Sequence, residues 1–92
     1  MILGTMTKQP ADRLDYDVEY EKWLPTGDAL SLASAIVDDT GLTIDSVQVI
    51  GTVVKVWLSG GVDGVTYKVT VSVTTNDGRE KDDEFKIRVR DC

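Results

Sequence analysis

Three groups of acidic side chains, Asp15/Asp17/Glu19, Asp38/Asp39 and Asp82/Asp83/Glu84, are the residues of this chain best equipped for chemistry. Paired carboxylates perform general acid–base work and bind calcium. Their spacing supports neither use. The order of acids, glycine and terminal glutamate found in an EF-hand loop is missing, and strand alternation puts Asp15, Asp17 and Glu19 on one solvated face. Histidine is absent, which removes the commonest general base and metal ligand, and any triad that needs one. Cys92 is the single cysteine, so neither an internal disulfide nor a thiolate metal cluster is expected. Asn76-Asp77-Gly78 is turn chemistry, and Gly60-Gly61 has no helix behind it to cradle a phosphate. The residues therefore predict no catalytic site, no metal and no cofactor.

Sixteen acidic against ten basic residues give a net charge of −6 and a pI near 4.4. Electrostatic binding of nucleic acid or an anionic membrane needs clustered Lys and Arg, so neither partner is expected. Ninety-two residues make one domain. A domain of this size buries only about 60–65% of its unfolded surface, so its stability margin is thin. The opening MILGTMTKQPADR lacks the basic start and apolar core of a signal peptide, and no apolar run approaches the ~20 residues that cross a bilayer. A soluble protein made in a cytoplasm is the expectation.

The elements that position these residues read as strands. Residues 1–12 lack periodicity and contain Pro10, which predicts an extended N-terminal arm outside a core domain of residues 13–92. Leu14, Tyr16, Val18 and Tyr20 alternate with Asp15, Asp17 and Glu19 as in a half-buried strand. Pro25, Gly27 and Asp28 end it, with Trp23 and Leu24 placed to close the end of the core. Ala29 to Val37 has some helix-favouring composition but reads as a strand. Leu42 to Ile50 follows, with a slip of parity at Asp45-Ser46 that fits a bulge. Val53 to Leu58 is dense in β-branched residues. Tyr67, Val69, Val71 and Val73, then Phe85, Ile87 and Val89, form a hairpin around Asn76-Asp77-Gly78.

Both apolar sets of that hairpin sit on odd numbers, so facing residues must sum to an even number. A three-residue loop with Gly78 left-handed satisfies this. Thr75 then faces Arg79, Val69 faces Phe85 and Tyr67 faces Ile87. The same register sets Val73 against Lys81 and Val71 against Asp83. Charge thus enters the inner face, which predicts a tip that projects beyond the core, either into solvent or onto a partner. Six to seven short strands with regular turns predict an all-β, immunoglobulin-like antiparallel sandwich. Gly64-Val65-Thr66-Tyr67 suits its tyrosine corner, although Tyr67 also suits an ordinary core position.

Lys8, Pro10 and Arg13-Leu14-Asp15-Tyr16 resemble the head of a family of short tailed-bacteriophage virion proteins, the fibre-tail adaptors. Trp23-Leu24, Gly27-Asp28, Val56-Trp57-Leu58-Ser59-Gly60-Gly61 and Arg88-Val89-Arg90 extend the similarity over most of the chain. Members often carry an aromatic in the second strand, where this chain has Ala33-Ser34-Ala35-Ile36. The resemblance implies an immunoglobulin-like domain without catalytic activity, assembled in the virion after synthesis in the host cytoplasm. It also implies contacts with tail, fibre or head-tail connector proteins and homo-oligomerisation in the particle. Capsid decoration or binding of a host-surface carbohydrate is the alternative role. The resemblance assigns no binding residue. The residues themselves nominate Lys8, Pro10, Arg13, Trp57 and Asp77 as interface candidates. Trp57 lies on the outer strand face, covered by the arm or by a neighbouring subunit. An arm that lies outside the core would add little to stability when present and much to assembly.

Overall fold

The computed structural model describes the backbone of residues 2–91 and the side chains of residues 4–91. Cys92 lies outside the described residues. Seven strands follow in chain order: β1 (Ile2–Lys8), β2 (Leu14–Glu19), β3 (Leu30–Val37), β4 (Leu42–Ile50), β5 (Val53–Gly60), β6 (Thr66–Thr75) and β7 (Glu80–Val89). They form a four-stranded sheet, β1-β7-β6-β3, packed on a three-stranded sheet, β2-β5-β4. With β1 set aside, this is the strand grouping of the immunoglobulin sandwich.

Period-two alternation supplies the core. Val54, Val56 and Leu58 of β5 face Val69, Val71, Phe85 and Ile87 of the opposite sheet, all at most 1% exposed. The hairpin register is as expected: Tyr67 pairs with Ile87, Val69 with Phe85, Val71 with Asp83 and Val73 with Lys81. Thr75 N–H donates to Arg79 C=O (2.8 Å) and Gly78 adopts φ +91°. The bulge in β4 also falls where parity slips, between Ile44 and Ser46.

Tyr67 does form the corner. Its hydroxyl donates to Thr40 C=O (2.8 Å) and accepts from Val62 N–H (3.1 Å). Gly41 makes this possible, since a Cβ there would lie 2.7 Å from the Tyr67 oxygen.

Two expectations are corrected. Residues 2–8 do not lie outside the core: β1 runs parallel to β7, with Met6 opposite Ile87 and Lys8 opposite Val89. Sequence periodicity hides the strand because its inward positions are Gly4, Met6 and Lys8 rather than a run of aliphatic residues. Lys8 is only 1% exposed, and its ammonium donates to the carbonyls of Gly60 (2.6 Å) and Gln9 (2.8 Å). The hairpin tip does not project freely either. Asp28, whose side chain is 1% exposed, accepts from Asp77 N–H (3.2 Å) and from Arg79 (2.8 Å), and Asn76 N–H donates to Ala29 C=O (3.0 Å). Burial pushes the Asp28 carboxyl upward, but hydrogen bonds from Thr75, Ala29, Arg79 and Asp77 outweigh it and hold the carboxyl below its ordinary pKa.

Deleting residues 1–8 should therefore cost more than about 2 kcal/mol and lower Tm by roughly 10 °C or more. Thermal melts compare the two chains, and a shift of only a few degrees contradicts the strand's place in the core. Gly41→Ala should cost about 2–4 kcal/mol, from a strained positive φ and the clash with Tyr67. In a Tyr67→Phe background the same change should cost measurably less, because the oxygen it strikes is gone. Equal costs in urea denaturation would exclude the clash.

Candidate functional site

The end of the sandwich near Gly60 is fully tied. Arg13 lies over the ring of Trp57, 4.6 Å from its centroid, and its Nε donates to Asp45 (3.0 Å) in the β4 bulge. Ser59 Oγ donates to the other Asp45 oxygen (3.0 Å). Lys55 pairs with Asp15 (2.7 Å) and Asp17 (3.1 Å) on the same face. Hydrogen bonding to Lys55 lowers the Asp15 pKa. Arg13 thus covers Trp57 from within the chain. Pro10 sits in the turn closed by Asp12 N–H donating to Gln9 C=O (3.1 Å), and so belongs to a folded link between the sheets. Asp77 caps the hairpin at the other end. The structure therefore brings Arg13 and Trp57 together, sets Lys8 and Pro10 nearby, and leaves Asp77 apart.

The opposite half contains a groove that no single motif announces. It has a volume of about 540 Å³, within the span of ligand clefts, roughly 300–1,000 Å³. Its position follows from β1. That strand pairs with β7 only from Glu84 onward, so Glu80–Asp83 have no strand partner on that side among the described residues. The gap between this free stretch and β2 is the groove. Tyr16 and Phe85 pack at its base, with ring centroids 5.8 Å apart. Tyr20 and Trp23 meet edge-on at 5.9 Å along its wall, and Lys22 and Lys81 flank them.

Among the described residues, the buried side-chain polar atoms that lack a well-aligned partner all lie here. The Tyr16 hydroxyl, the Tyr20 hydroxyl and Oδ1 of Asp83 are buried without a well-aligned hydrogen-bond partner, although the Tyr20 phenol lies near enough to the Asp83 carboxylate to feel its pull. Lys81 Nζ lies 3.2 Å from that same Asp83 oxygen. The attraction is therefore one of charge without the alignment of a hydrogen bond. Burial, and then the neighbouring Asp83 carboxylate, push the Tyr20 pKa well above the ordinary phenol value. Burial does the same to Tyr16, with smaller contributions from Asp12 and Asp15. Native domains pair nearly all buried polar groups, so three such atoms in one place single out this end of the sandwich. Sequence reasoning placed Trp23 at the end of the core and Asp83 on the inner face, but it did not join them.

The match to a known family spans residues 8–88, and the family is described as "Podophage GP4 fiber-tail adaptor protein gp77". The chain belongs to that family. No curated protein matches it.

A buried phenol that donates to nothing gains nothing from its oxygen. Tyr16→Phe should leave stability unchanged or raise it by up to about 1 kcal/mol. Urea denaturation reads this directly, and a loss above about 1 kcal/mol would mean the hydroxyl is bonded in solution.

Proposed function

We propose that this fibre-tail adaptor family member is a non-catalytic structural protein that joins tail and fibre components of a podophage virion through protein–protein contacts. Several copies act together in the particle. The observation that carries the reading is the stretch Glu80–Asp83, without a strand partner on its β1 side among the described residues, beside an aromatic groove. Unpaired strand edges recruit extended chain from other proteins, which supplies main-chain hydrogen bonds while side chains fill the groove. The fitting partner is an extended segment of a tail or fibre protein, apolar on the side facing Trp23 and Tyr16. Opposite Glu80 and Asp82 it carries Lys or Arg, because opposite charges stabilise cross-strand neighbours. The Tyr16 hydroxyl has no hydrogen bond within the chain to lose when the wall adjusts to a guest. The net charge of −6 favours neither nucleic acid nor an anionic membrane as the partner.

A second reading rests on the same ring. Trp23 beside Asp83 and Lys22 also suits stacking and hydrogen bonding of a sugar, as a host-surface carbohydrate contact requires.

Arg90 N–H donates to Lys8 C=O (2.9 Å), so even-numbered residues of β7 turn their N–H groups toward the β1 side. Asp82→Pro therefore removes a donor from the free edge and leaves the β6 ladder whole. Virions assembled with Asp82→Pro protein should lose fibres, while Asp82→Ala particles keep most of them. Fibre counts by electron microscopy and protein content of purified particles decide the matter. Normal fibre attachment in Asp82→Pro particles contradicts the groove as the contact. Absence of the wild-type protein from purified particles contradicts the adaptor role itself, and glycan binding by the isolated domain supports the second reading.

A further inference from the structure

We infer that β3 is the surface through which two copies of this chain pair, edge to edge and antiparallel. The inference goes beyond the adaptor role and takes from it only that several copies act together. β3, LSLASAIV, is an edge of the four-stranded sheet. Exposed edges are ordinarily protected by charge, proline or a bulge, because they template pairing with other chains. The other edges are so protected. β2 carries Asp15, Asp17 and Glu19, β4 has its bulge at Asp45, and β1 has an irregular register between Ile2 and Thr5 and ends in Lys8. β3 also shifts register once, between Leu30 and Leu32, but it is the one strand of the seven without a charged residue, and its ladder is regular from Leu32 to Val37. Leu32 and Ile36 stand on its outer face, each 68% exposed. A small domain spends large aliphatic side chains on its surface at the expense of its core.

The phase of the ladder fixes how a second copy fits. Asp38 N–H donates to Lys68 C=O (3.2 Å), so the even residues of β3 turn their backbone groups toward β6. Alternation then turns the N–H and C=O groups of Ala33, Ala35 and Val37 outward. Place a two-fold axis at Ser34. Ala33 then exchanges hydrogen bonds with the partner's Ala35, and Leu32 meets the partner's Ile36. The two apolar contacts occur at non-hydrogen-bonded pairs, where side chains approach most closely. Sliding the pair by two residues sets Leu32 against Ser34 and loses both contacts. In a domain of charge −6, two copies meet along this edge with no carboxylate opposite another. The same patch on both copies makes the contact isologous and closed.

Sedimentation equilibrium of the full chain, with reductant present because of Cys92, tests the inference. The wild type should show a monomer–dimer equilibrium. Ala35→Pro removes an outward N–H without touching the β6 ladder, and Leu32→Lys changes only an exposed side chain. Each should weaken association by about tenfold or more, which is ~1.4 kcal/mol. Where Ala35→Pro disturbs the fold, Leu32→Lys carries the test. Mixing Leu32→Lys with Ile36→Glu chains sets opposite charges face to face in this register, and should restore association above that of either variant alone. A wild type that stays monomeric up to about 1 mM overturns the inference. So does a dimer that folded Leu32→Lys leaves intact, or a mixture that associates no better than its parts. A monomeric chain that nonetheless enters particles overturns this pairing and leaves the adaptor role standing; a β3 dimer absent from particles does the reverse.

Discussion

The three-residue turn at Asn76–Gly78 decides which side chains of β7 face inward, and the rest of the domain is arranged around that choice. Because side chains alternate with period two, a turn that puts Phe85, Ile87 and Val89 inside also puts Lys81 and Asp83 inside. The sandwich has answered this by lengthening. Asp28 and Ala29 hold the tip, so the inner face continues to Thr75, which is buried. Tyr20 and Trp23, in the turn that follows β2, line the groove together with Asp83. A charged side chain buried in a small domain is costly unless paired and hydrogen-bonded, and Asp83 has its charge partner without full bonding. The groove is the consequence of that incomplete solution.

The two ends of the sandwich differ in this respect. Near Gly60 every group noted has a partner: Tyr67 bonds twice, the Lys8 ammonium bonds twice, and Asp45 holds both Arg13 and Ser59. Such networks are rigid, since opening them strands buried polar groups. Near Trp23 the opposite holds.

Much of the fold was legible because it rests on alternation. The β6–β7 register, the β4 bulge and the tyrosine corner each follow from parity, a slip of parity, or a glycine at fixed distance from Tyr67. β1 was not legible, since Gly4, Met6 and Lys8 show no apolar period and only the long stem of Lys8 fills its inward place. The same omission concealed the groove. Without β1 on β7, nothing shows that Glu80–Asp83 remain uncovered or that Tyr16 and Phe85 form a floor. Trp57 was recognised as an unusual outward aromatic, but its cover is Arg13, a cation–π contact that spacing along the chain does not reveal.

A cryo-electron microscopy map of the assembled virion, at a resolution that traces side chains at the tail–fibre junction, decides whether the groove is the contact. An extended segment of a tail or fibre protein should lie along Glu80–Asp83, in line with β1, with an apolar side chain against Trp23. A solvent-filled groove, with tail and fibre proteins contacting other faces of the domain, would contradict it.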